Sequence, residues 1–442
     1  MKEQLLKLIK IRHKTFIAFL ELYWFLCTLG QSSKIKLIRP ISYEETKVPP
    51  YKLPDLLLCE DGTKVRSIKQ WEEKRRPELL YLFSEYMYGK TPCVNEDIKW
   101  IVLRTQENAL GGKAIRRDVR VYPLANHLEH SINVQMYLPS YSKEKPVPLF
   151  FAMALLPNYT VCNDPEVDMP DFILAENGKR KKAVKRGCMS EFWQLDKLLE
   201  RGYGLVTFCH QDLSPDTLND FLKGVPSLYY IPGMKCPYPN EWGSISFWAW
   251  QMSRVMDYLV TDKLVDNKRI IAIGHSRFGK TALWAAAQDK RFAIVISNNS
   301  GCGGAAISRR CFGETIEAIN RKFPQWFCGN FKQFDNRENY LPFDQHELIA
   351  LIAPRPVYIA SAEEDRWADP KGEFLGGKEA TPIYNLYGLD GLECKEIPDI
   401  ECPQSKGYVG FHIRKGGHTM TQYDWIQYLN FVDRHFDKIN KI

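Results

Sequence analysis

A serine, an acid and a histidine that could together hydrolyse an ester are spread along this 442-residue chain. Ser276 lies in the run G-H-S-R-F-G-K at 274–280, between an apolar stretch of strand length and an alanine-rich helical pattern. A serine at such a strand–turn–helix junction stands above the sheet, and the first amides of the helix face the oxygen that becomes negative. The usual spacing is G-x-S-x-G, whereas here the second glycine follows Phe278 and comes one residue later. The pattern indicates a nucleophilic serine, although a turn serine with a purely structural role has a similar local sequence.

A serine hydroxyl is a weak nucleophile unless a base accepts its proton. His418 follows a strand-like run and lies in the glycine-rich segment 415–419, so it is the best placed of the nine histidines to serve as that base. His275 adjoins the serine but is predicted to point elsewhere and pack. His346 and His412 are predicted to be structural.

An acid is needed to fix the tautomer of the base and to stabilise the imidazolium. It is expected after the strand-like run 356–360, where four carboxylates compete, namely Glu363, Glu364, Asp365 and Asp369. Asp365 is favoured because it stands where the acid of this kind of hydrolase follows its strand. The other three could equally cap a helix or form salt bridges.

Apolar periodicity predicts the scaffold that brings these residues together. Continuous apolar runs, typical of buried parallel strands, occupy 146–155, 204–208, 269–273, 293–297 and 356–360, and a late strand-like run covers 408–414. Alternating runs that predict antiparallel strands lie at 100–103, 117–121 and 132–138. Helical spacing marks 68–88, 191–201, 246–261, 281–288 and 425–435. The alternation of strands and helices predicts a three-layer α/β/α sandwich with a mostly parallel sheet.

The opening of the chain predicts export. Residues 1–30 combine basic residues, an apolar run at 15–29 and small residues near position 30, which is the pattern of a signal peptide, although Glu21 interrupts it. An uncleaved anchor is the alternative, but the run is short for a membrane span. The predicted organisation is therefore a signal peptide at 1–30, an N-terminal extension with a helix packed on the core at 31–98, and a catalytic domain at 99–442.

Composition argues against several other functions. The net charge is only +7 and no zinc-finger or RNA-binding motif occurs, so no nucleic-acid partner is expected. The basic residues between 179 and 186 are predicted to form a solvated loop. The twelve cysteines show neither C-x-x-C pairs nor Cys/His spacing, so no metal site or other cofactor is expected.

Several short motifs together resemble one enzyme family. They are G-H-S-R-F-G-K at 274–280, S-G-C-G-G at 300–304, S-R-R at 308–310, G-E-T at 313–315, E-E-D-R-W-A-D-P at 363–370 and G-G-H at 416–418. Over roughly residues 50–440 the chain resembles the glucuronoyl esterases, carbohydrate esterase family 15, and most closely their bacterial branch. The resemblance implies an α/β-hydrolase fold that cleaves, without a metal, the ester between a (4-O-methyl) glucuronic acid branch of xylan and a lignin alcohol.

The resemblance also implies a role for individual residues. By position it makes Ser276 the nucleophile and His418 the general base, puts Arg277 in the oxyanion hole through its amide and guanidinium, and gives Lys280 and Glu314 to the sugar hydroxyls and Trp367 to the sugar site. An indole suits the apolar edge of a pyranose, and a fixed cation beside the serine would stabilise developing negative charge.

The chain departs from the fungal pattern in two ways. Fungal members carry the catalytic acid where this chain has Asn299, so Asp365 must supply the charge. Fungal members also have a cysteine at the position of His275, whose disulfide partner would stand at Thr419. Both halves of that bridge are absent together, as expected for the bacterial branch.

Two other functions fit the same residues. An acetyl or other carboxyl esterase could use the same scaffold, because a fold does not fix the substrate. A catalytically silent carbohydrate-binding relative would keep the pocket without turnover. The expected partner in the leading interpretation is glucuronoxylan or a lignin–carbohydrate ester, met outside the cell by an exported protein that is not inserted in a membrane after signal cleavage.

Overall fold

The computed structural model describes residues 39–92, 97–175, 178–222, 224–229 and 237–439. The predicted signal peptide lies outside these ranges. No helix of the described part has an apolar stretch long enough to cross a bilayer.

A large sheet runs through the described part of the chain. The strands are β1 Lys99–Asn108, β2 Ala114–Tyr122, β3 Ile132–Pro139, β4 Val147–Ala154, β5 Phe172–Leu174, β6 Arg180–Lys182, β7 Gly204–Cys209, β8 Val265–His275, β9 Ile294–Asn298, β10 Val357–Ala362 and β11 Val409–Arg414. Nine of them form one sheet in the order β1-β2-β3-β7-β4-β8-β9-β10-β11. In this order, β1, β2, β3 and β7 pair antiparallel. The six strands β7, β4, β8, β9, β10 and β11 are parallel to one another.

Helices cover both faces of this sheet. The longer ones are α1 Arg76–Phe83, α2 Leu195–Glu200, α3 Ser244–Leu259, α4 Arg277–Gln288, α5 Ile316–Lys322, α6 Gln345–Ala350, α7 Pro370–Glu379, α8 Thr381–Leu386 and α9 Gln422–Ile439. Shorter helical segments are Ile68–Gln70, Trp71–Arg75, Ser84–Tyr88, Ala109–Gly112, Ser190–Trp193 and Leu218–Phe221.

Alternate residues of each central strand enter different cores, which is why these strands are apolar throughout. In β8, Ile270 and Ala272 pack in the core formed with α1, α3 and α4. Ile271 and Ile273 pack in the core formed with α2 and α9. The predicted three-layer architecture is therefore confirmed.

The predicted elements agree with the structure except in two places. The helix predicted over 191–201 is broken, because Gln194 has a φ of +48° and separates Ser190–Trp193 from α2. The basic segment predicted as a loop contains β6, which pairs with β5 in a separate antiparallel hairpin. Its residues are nevertheless exposed, as the density of charge requires.

Parallel strands end at the same edge of a sheet, and the predicted chemistry collects at that edge. Ser276 directly follows β8, Asn299 directly follows β9, and Asp365 comes three residues after β10. His418 lies in the loop between β11 and α9. The fold thus brings together residues that are up to 142 positions apart in the chain, since 418 − 276 = 142.

Candidate active site

Ser276 lies at the tip of a tight turn between β8 and α4. Its φ is +58° and its ψ is −126°, a conformation that costs a residue other than glycine about 1–3 kcal/mol. The turn can close because Gly274 has no side chain: a Cβ there would lie 1.9 Å from the carbonyl oxygen of Phe278. The strained turn presents the serine above the strand end, where a substrate can reach it.

The displaced second glycine of the motif also has a physical reason. A Cβ on Gly279 would lie 2.9 Å from Cβ of Ser300, so this position keeps α4 close to the loop after β9. Phe278, at the usual place of the glycine, instead buries its ring against Trp248, with 5.5 Å between ring centroids. Phe278 can therefore occupy the usual glycine position, while Gly279 allows the close approach of α4 to this loop.

Asp365 and His418 form a hydrogen-bonded pair. His418 Nδ1 lies 2.5 Å from Asp365 Oδ2, and Asn299 Nδ2 donates to the same oxygen at 2.6 Å. Burial alone would raise the pKa of Asp365, but the hydrogen bonds from His418 and Asn299 hold it below its ordinary value. An ionised Asp365 fixes the proton on Nδ1, so Nε2 of the exposed imidazole is left to accept a proton.

Asp369, one of the three other candidate acids, has a structural role. Its Oδ2 accepts from Arg310 Nε at 2.7 Å, and its Oδ1 accepts from the Gly372 amide at 3.0 Å. It is therefore the N-cap of α7 and the partner of a buried arginine.

The two remaining acids lie in a backbone connection between the acid loop and the histidine loop. The Glu363 amide donates to the Arg414 carbonyl at 2.9 Å, and the Glu364 amide donates to the Gly416 carbonyl at 3.1 Å. Both side chains are at least partly exposed, so neither is a buried acid like Asp365.

Arg414, the last residue of β11, ties down the loop that carries the imidazole. Its guanidinium donates to the carbonyls of Lys415 at 2.7 Å and Gly417 at 3.0 Å, and also to that of Thr419. Its Nε donates to the fully buried carboxylate of Asp424 at 2.7 Å. One arginine thus holds three carbonyls of a glycine-rich loop and anchors them to the start of α9.

Asp424 extends this anchor to the neighbouring strands. It accepts from the Thr421 amide at 2.7 Å and lies 2.9 Å from His412 Nε2. It also accepts from Asn298 Nδ2 at 3.3 Å. His412 is fully buried here, with its other ring nitrogen 3.0 Å from the Tyr358 hydroxyl, so it packs as a structural histidine.

The prediction that His275 points away from the site is wrong. Its ring centroid lies 4.4 Å from that of His418, and it lines the same pocket as Ser276. The cause is the register of β8 with β9, which pairs His275 with Asn298 and puts their side chains within 2.6 Å. Burial, and then the charge of His418, lower the pKa of His275 to about 3, so it is a neutral neighbour of the His418 imidazole.

Arg277, directly after Ser276, is the first residue of α4, and an ion pair and an aromatic ring fix its side chain. Its guanidinium donates to Asp216 at 2.9 Å and lies 4.7 Å from the centroid of the Trp326 ring. The same carboxylate accepts from Gln325 Nε2 at 2.9 Å and from Trp326 Nε1 at 3.1 Å. A cation is thereby fixed next to Ser276, where it could stabilise an oxyanion.

Lys280, one helical turn after Ser276, and Glu314 are buried and interact through their charges. Lys280 is 3% exposed, and its ammonium donates to the Ser300 carbonyl. Burial lowers the pKa of Lys280 and raises that of Glu314, while the attraction between the two charges opposes both shifts. The amide of Glu314 donates to the carbonyl of the partly exposed Trp367 at 3.0 Å. The three predicted sugar contacts therefore lie together.

Glu373 joins the loop that follows β9 to the end of β10. It accepts from the amides of Ser300 at 2.7 Å and Gly301 at 2.9 Å and from the Ser361 hydroxyl at 2.6 Å. It is fully buried, and burial raises its pKa to about 7. This buried carboxyl fixes the spacing of the strand ends that precede Asn299 and Asp365.

A mainly apolar pocket of about 320 Å³ opens at the serine. Ser276 and His418 line it together with aliphatic, aromatic and sulfur-containing side chains, among them Met153, Leu155, Leu156, Met189, Phe192, Trp193 and Met420. Such a pocket can take an apolar group attached to the reacting ester.

Several supporting residues could not be found from sequence patterns. Asp216 is 61 residues from the arginine it holds and lies in a polar segment without periodicity. Arg414 lies at the end of a predicted strand and Asp424 at the start of a predicted helix, and neither position indicates a supporting role. Asn299 was recognised as a neutral replacement, but nothing in the sequence showed that its amide would donate to Asp365.

Known proteins are similar to this chain along most of its length. Residues 236–388 match the family model described as "Glucuronyl esterase, fungi". A carbohydrate esterase from an unknown prokaryotic organism is 43% identical over 405 residues, which cover 90% of this chain and 92% of that protein. The solved glucuronoyl esterase from Solibacter usitatus is 42% identical, with a TM-score of 0.84 over 88% of this chain and 99% of that one. A structure described as a promiscuous family 15 carbohydrate esterase from a marine bacterial metagenome is 41% identical, with a TM-score of 0.81 over 90% and 100% of the two chains. With this identity over nearly the full length of its relatives, and with the serine elbow at the expected strand end, the chain belongs to carbohydrate esterase family 15, the glucuronoyl esterases.

Proposed function

We propose that this protein hydrolyses carboxylic esters of glucuronic acid and its 4-O-methyl ether through an acyl-enzyme. The observation that carries the proposal is the 2.5 Å pair between His418 and Asp365 at the mouth of a pocket that also contains Ser276. The family resemblance gives the ester, and the pair supplies the base that a serine needs.

The reaction follows from the positions of these groups. Oγ of Ser276 attacks the carbonyl carbon of the uronate ester while His418 Nε2 takes its proton, and Asp365 stabilises the imidazolium. The carbonyl oxygen becomes negative and is met by the amide and the guanidinium of Arg277. The C–O bond to the alcohol then breaks, and His418 returns the proton to the departing oxygen. Water, deprotonated by the same imidazole, releases the uronic acid and regenerates the serine.

The surroundings of the serine suggest which end of the ester goes where. The cluster of Lys280, Glu314 and Trp367 offers charged groups and an indole, which suit the hydroxyls and apolar edge of a pyranose. The apolar pocket beside His418 suits an alcohol with an aromatic ring, as in a lignin–xylan cross-link. We therefore assign the polar cluster to the uronate and the apolar pocket to the alcohol.

Such a substrate lies outside the cell, which agrees with export. The segment 1–30 has the composition of a signal peptide. We propose that it directs secretion, that 31–98 is an extension packed on the core, and that 99–442 is the catalytic domain. Trp71 and Phe83 of the extension are fully buried in the same core as α3 and α4, so the two segments would fold together.

The decisive experiment compares uronate esters with acetyl esters. Purified protein should hydrolyse benzyl and methyl glucuronate esters, and Ser276→Ala should abolish that turnover while Ser253→Ala, in α3 and outside the pocket, should not. Release of acetate from acetylated xylan without hydrolysis of uronate esters would instead identify an acetyl esterase. Binding of the uronate ester without turnover by the wild type would identify a silent relative.

A further inference from the structure

His275 lies beside the imidazole of His418 and has no role in the reaction described above. Its ring centroid is 4.4 Å from that of His418, and it lines the same pocket as Ser276. The side chain is partly exposed, so it meets whatever occupies that pocket. Phe192 packs edge-to-face on the ring, with 5.5 Å between centroids, and limits how far it can turn. What the ring can do depends on which of its nitrogens carries the proton.

The hydrogen-bond network around Asn298 fixes the tautomer of His275. The carboxylate of Asp424 is paired with Arg414, so it is ionised and can only accept. It lies 3.3 Å from one terminal atom of the Asn298 side chain, which must therefore be the amide nitrogen. The other terminal atom, 2.6 Å from His275 Nδ1, is then the amide oxygen. Because an amide oxygen only accepts, Nδ1 of His275 carries the proton and Nε2 carries a lone pair.

Nε2 of His275 can be reached from the pocket. No hydrogen bond to it occurs in the part of the chain that the structure describes. It is also not one of the buried side-chain atoms that lack a partner, so it retains surface of its own. Burial keeps the pKa of this imidazole at about 3, which leaves the lone pair free at every pH where the protein would work.

The pocket otherwise offers little to a water molecule. Its lining is mainly aliphatic, aromatic and sulfur-containing, and Arg277 can only donate. Among the side chains that line it, His275 and His418 alone carry an unprotonated ring nitrogen. A water held in such a place makes about three hydrogen bonds, so the two imidazoles are the nitrogen acceptors that it would use.

The second half of the proposed reaction requires a water at this place. Once the alcohol has left, water must attack the acyl carbon on Ser276 while His418 removes one of its protons. A water that makes two hydrogen bonds of about 2.8 Å joins atoms up to about 5.6 Å apart. The centroids of the two rings are only 4.4 Å apart, so one shared water can contact both.

We propose that His275 positions the hydrolytic water: its Nε2 accepts a hydrogen bond from the proton that the water keeps, while His418 Nε2 removes the other proton. The water oxygen forms a bond to the acyl carbon, the bond from that carbon to Ser276 Oγ breaks, and His418 returns its proton to the serine. His275 neither gains nor loses a proton. This inference rests on the proposed function, because it requires an acyl-enzyme.

The test offers the acyl-enzyme two acceptors, water and methanol. Benzyl glucuronate in a water–methanol mixture gives glucuronic acid and methyl glucuronate, and initial rates of both products are measured by chromatography. Methanol has a single hydroxyl proton, which goes to His418, so it gains nothing from an acceptor at His275. His275→Phe keeps an aromatic ring without the lone pair, so hydrolysis should fall about tenfold relative to methanolysis, as expected for one lost hydrogen bond.

Two further variants separate the lone pair from the fold. His275→Asn keeps a donor near the place of Nδ1 for the Asn298 oxygen but has no group at the place of Nε2, so it should show the same shift even if His275→Phe folds poorly. His275→Gln can bring an amide oxygen to the place of Nε2 and should recover much of the wild-type ratio.

His435→Phe is the matched control. It also removes a buried imidazole, whose Nε2 lies 3.2 Å from the Gly407 carbonyl, before β11 and away from the serine. The ratio of hydrolysis to methanolysis in this variant should equal that of the wild type.

Several results would overturn the inference. An unchanged ratio in both His275→Phe and His275→Asn, at any total rate, would leave His275 as a packing residue. A shift in His275→Gln as large as that in His275→Phe would assign the effect to the shape of the side chain and not to its acceptor. A raised KM for benzyl glucuronate with an unchanged ratio would make His275 a contact of the alcohol.

Failure of the proposed function would be seen separately in the wild type. If it cleaves phenyl acetate but no uronate ester, the proposed function is rejected, and the ratio of acetate to methyl acetate tests His275 in the same way. A tenfold shift there would support the water-positioning role on its own. If the wild type cleaves neither ester, no acyl-enzyme forms and both ideas are rejected.

Discussion

Replacement of Arg414 by methionine tests whether one side chain positions the catalytic imidazole. The variant loses donors to the carbonyls of Lys415, Gly417 and Thr419 and leaves the fully buried Asp424 without its arginine. Removing one partner of a buried ion pair costs about 3–5 kcal/mol. Displacement of a catalytic group by an ångström costs about 10²-fold in rate. We therefore expect a lower Tm and a kcat reduced about 10²-fold, with KM nearly unchanged because the sugar contacts lie on other loops.

Arg355→Met is a matched control. Arg355 donates to the carbonyls of Ala286, Asp289, Phe292 and Ile352 at 2.7–3.1 Å, and it precedes β10, at the edge of the sheet away from the serine. At about 1 kcal/mol for each bond, this variant loses a similar amount of stability. Its kcat should stay within twofold of the wild type.

Steady-state kinetics on a methyl glucuronate ester, well below the Tm of every variant, would separate the two effects. Arg414→Lys keeps a charge near Asp424 but lacks the planar fork that reaches three carbonyls, so it should regain stability and recover little kcat. If Arg414→Met loses as much stability as Arg355→Met but keeps its kcat, the arginine only stabilises the fold and does not position the histidine.

Three further predictions concern the acid, the buried glutamate and the sugar contact. Asp365→Asn should lower kcat by about 10³–10⁴-fold, whereas Asp369→Asn should lower mainly the Tm, because Asp369 caps α7; the reverse result would move the catalytic role to Asp369. Burial raises the pKa of Glu373 to about 7 from 4.5, so the folded protein binds more protons there than the unfolded one between these values. Stability should then fall by up to about 3 kcal/mol as the pH rises through that window, and urea titrations of Glu373→Gln should show a flatter pH dependence. Trp367→Ala should raise KM for the uronate ester about tenfold, as loss of about 1.4 kcal/mol of ring contact predicts, while Trp100→Ala on the exposed edge strand β1 should leave KM unchanged.

Much of the fold could be predicted because its strands are buried on both faces. A strand such as β8 is apolar at every core position, so its run of isoleucine and alanine stands out from the flanking helices. The helix over 68–88 could be predicted from its helical spacing, which places Trp71 and Leu82 on one buried side. Gln194 could not be predicted to break its helix, because glutamine is an ordinary helix former and the break reflects packing of the whole chain.

The candidate site was predictable only where chemistry and local geometry coincide. Ser276 lies between Gly274, which the turn requires, and Gly279, which the packing of α4 requires, so the neighbouring sequence indicates its position. Arg277 and Asp216 have no such signature, because an ion pair between distant segments leaves no periodic pattern. The direction of His275 was missed for a related reason: it depends on the register of β8 with β9, which one strand does not specify.

The topology explains how an asparagine can follow β9 while an acid follows β10. β9 and β10 are adjacent parallel strands, so the residues that follow them reach the same imidazole from neighbouring positions. A carboxylate is needed at only one of the two, because two negative charges at this spacing would repel each other and raise one pKa. With the acid at Asp365, the residue after β9 is best a donor, and the 2.6 Å bond from Asn299 Nδ2 supplies one. Asn299 is therefore a partner of Asp365, and its amide helps to keep that carboxylate ionised beside His418.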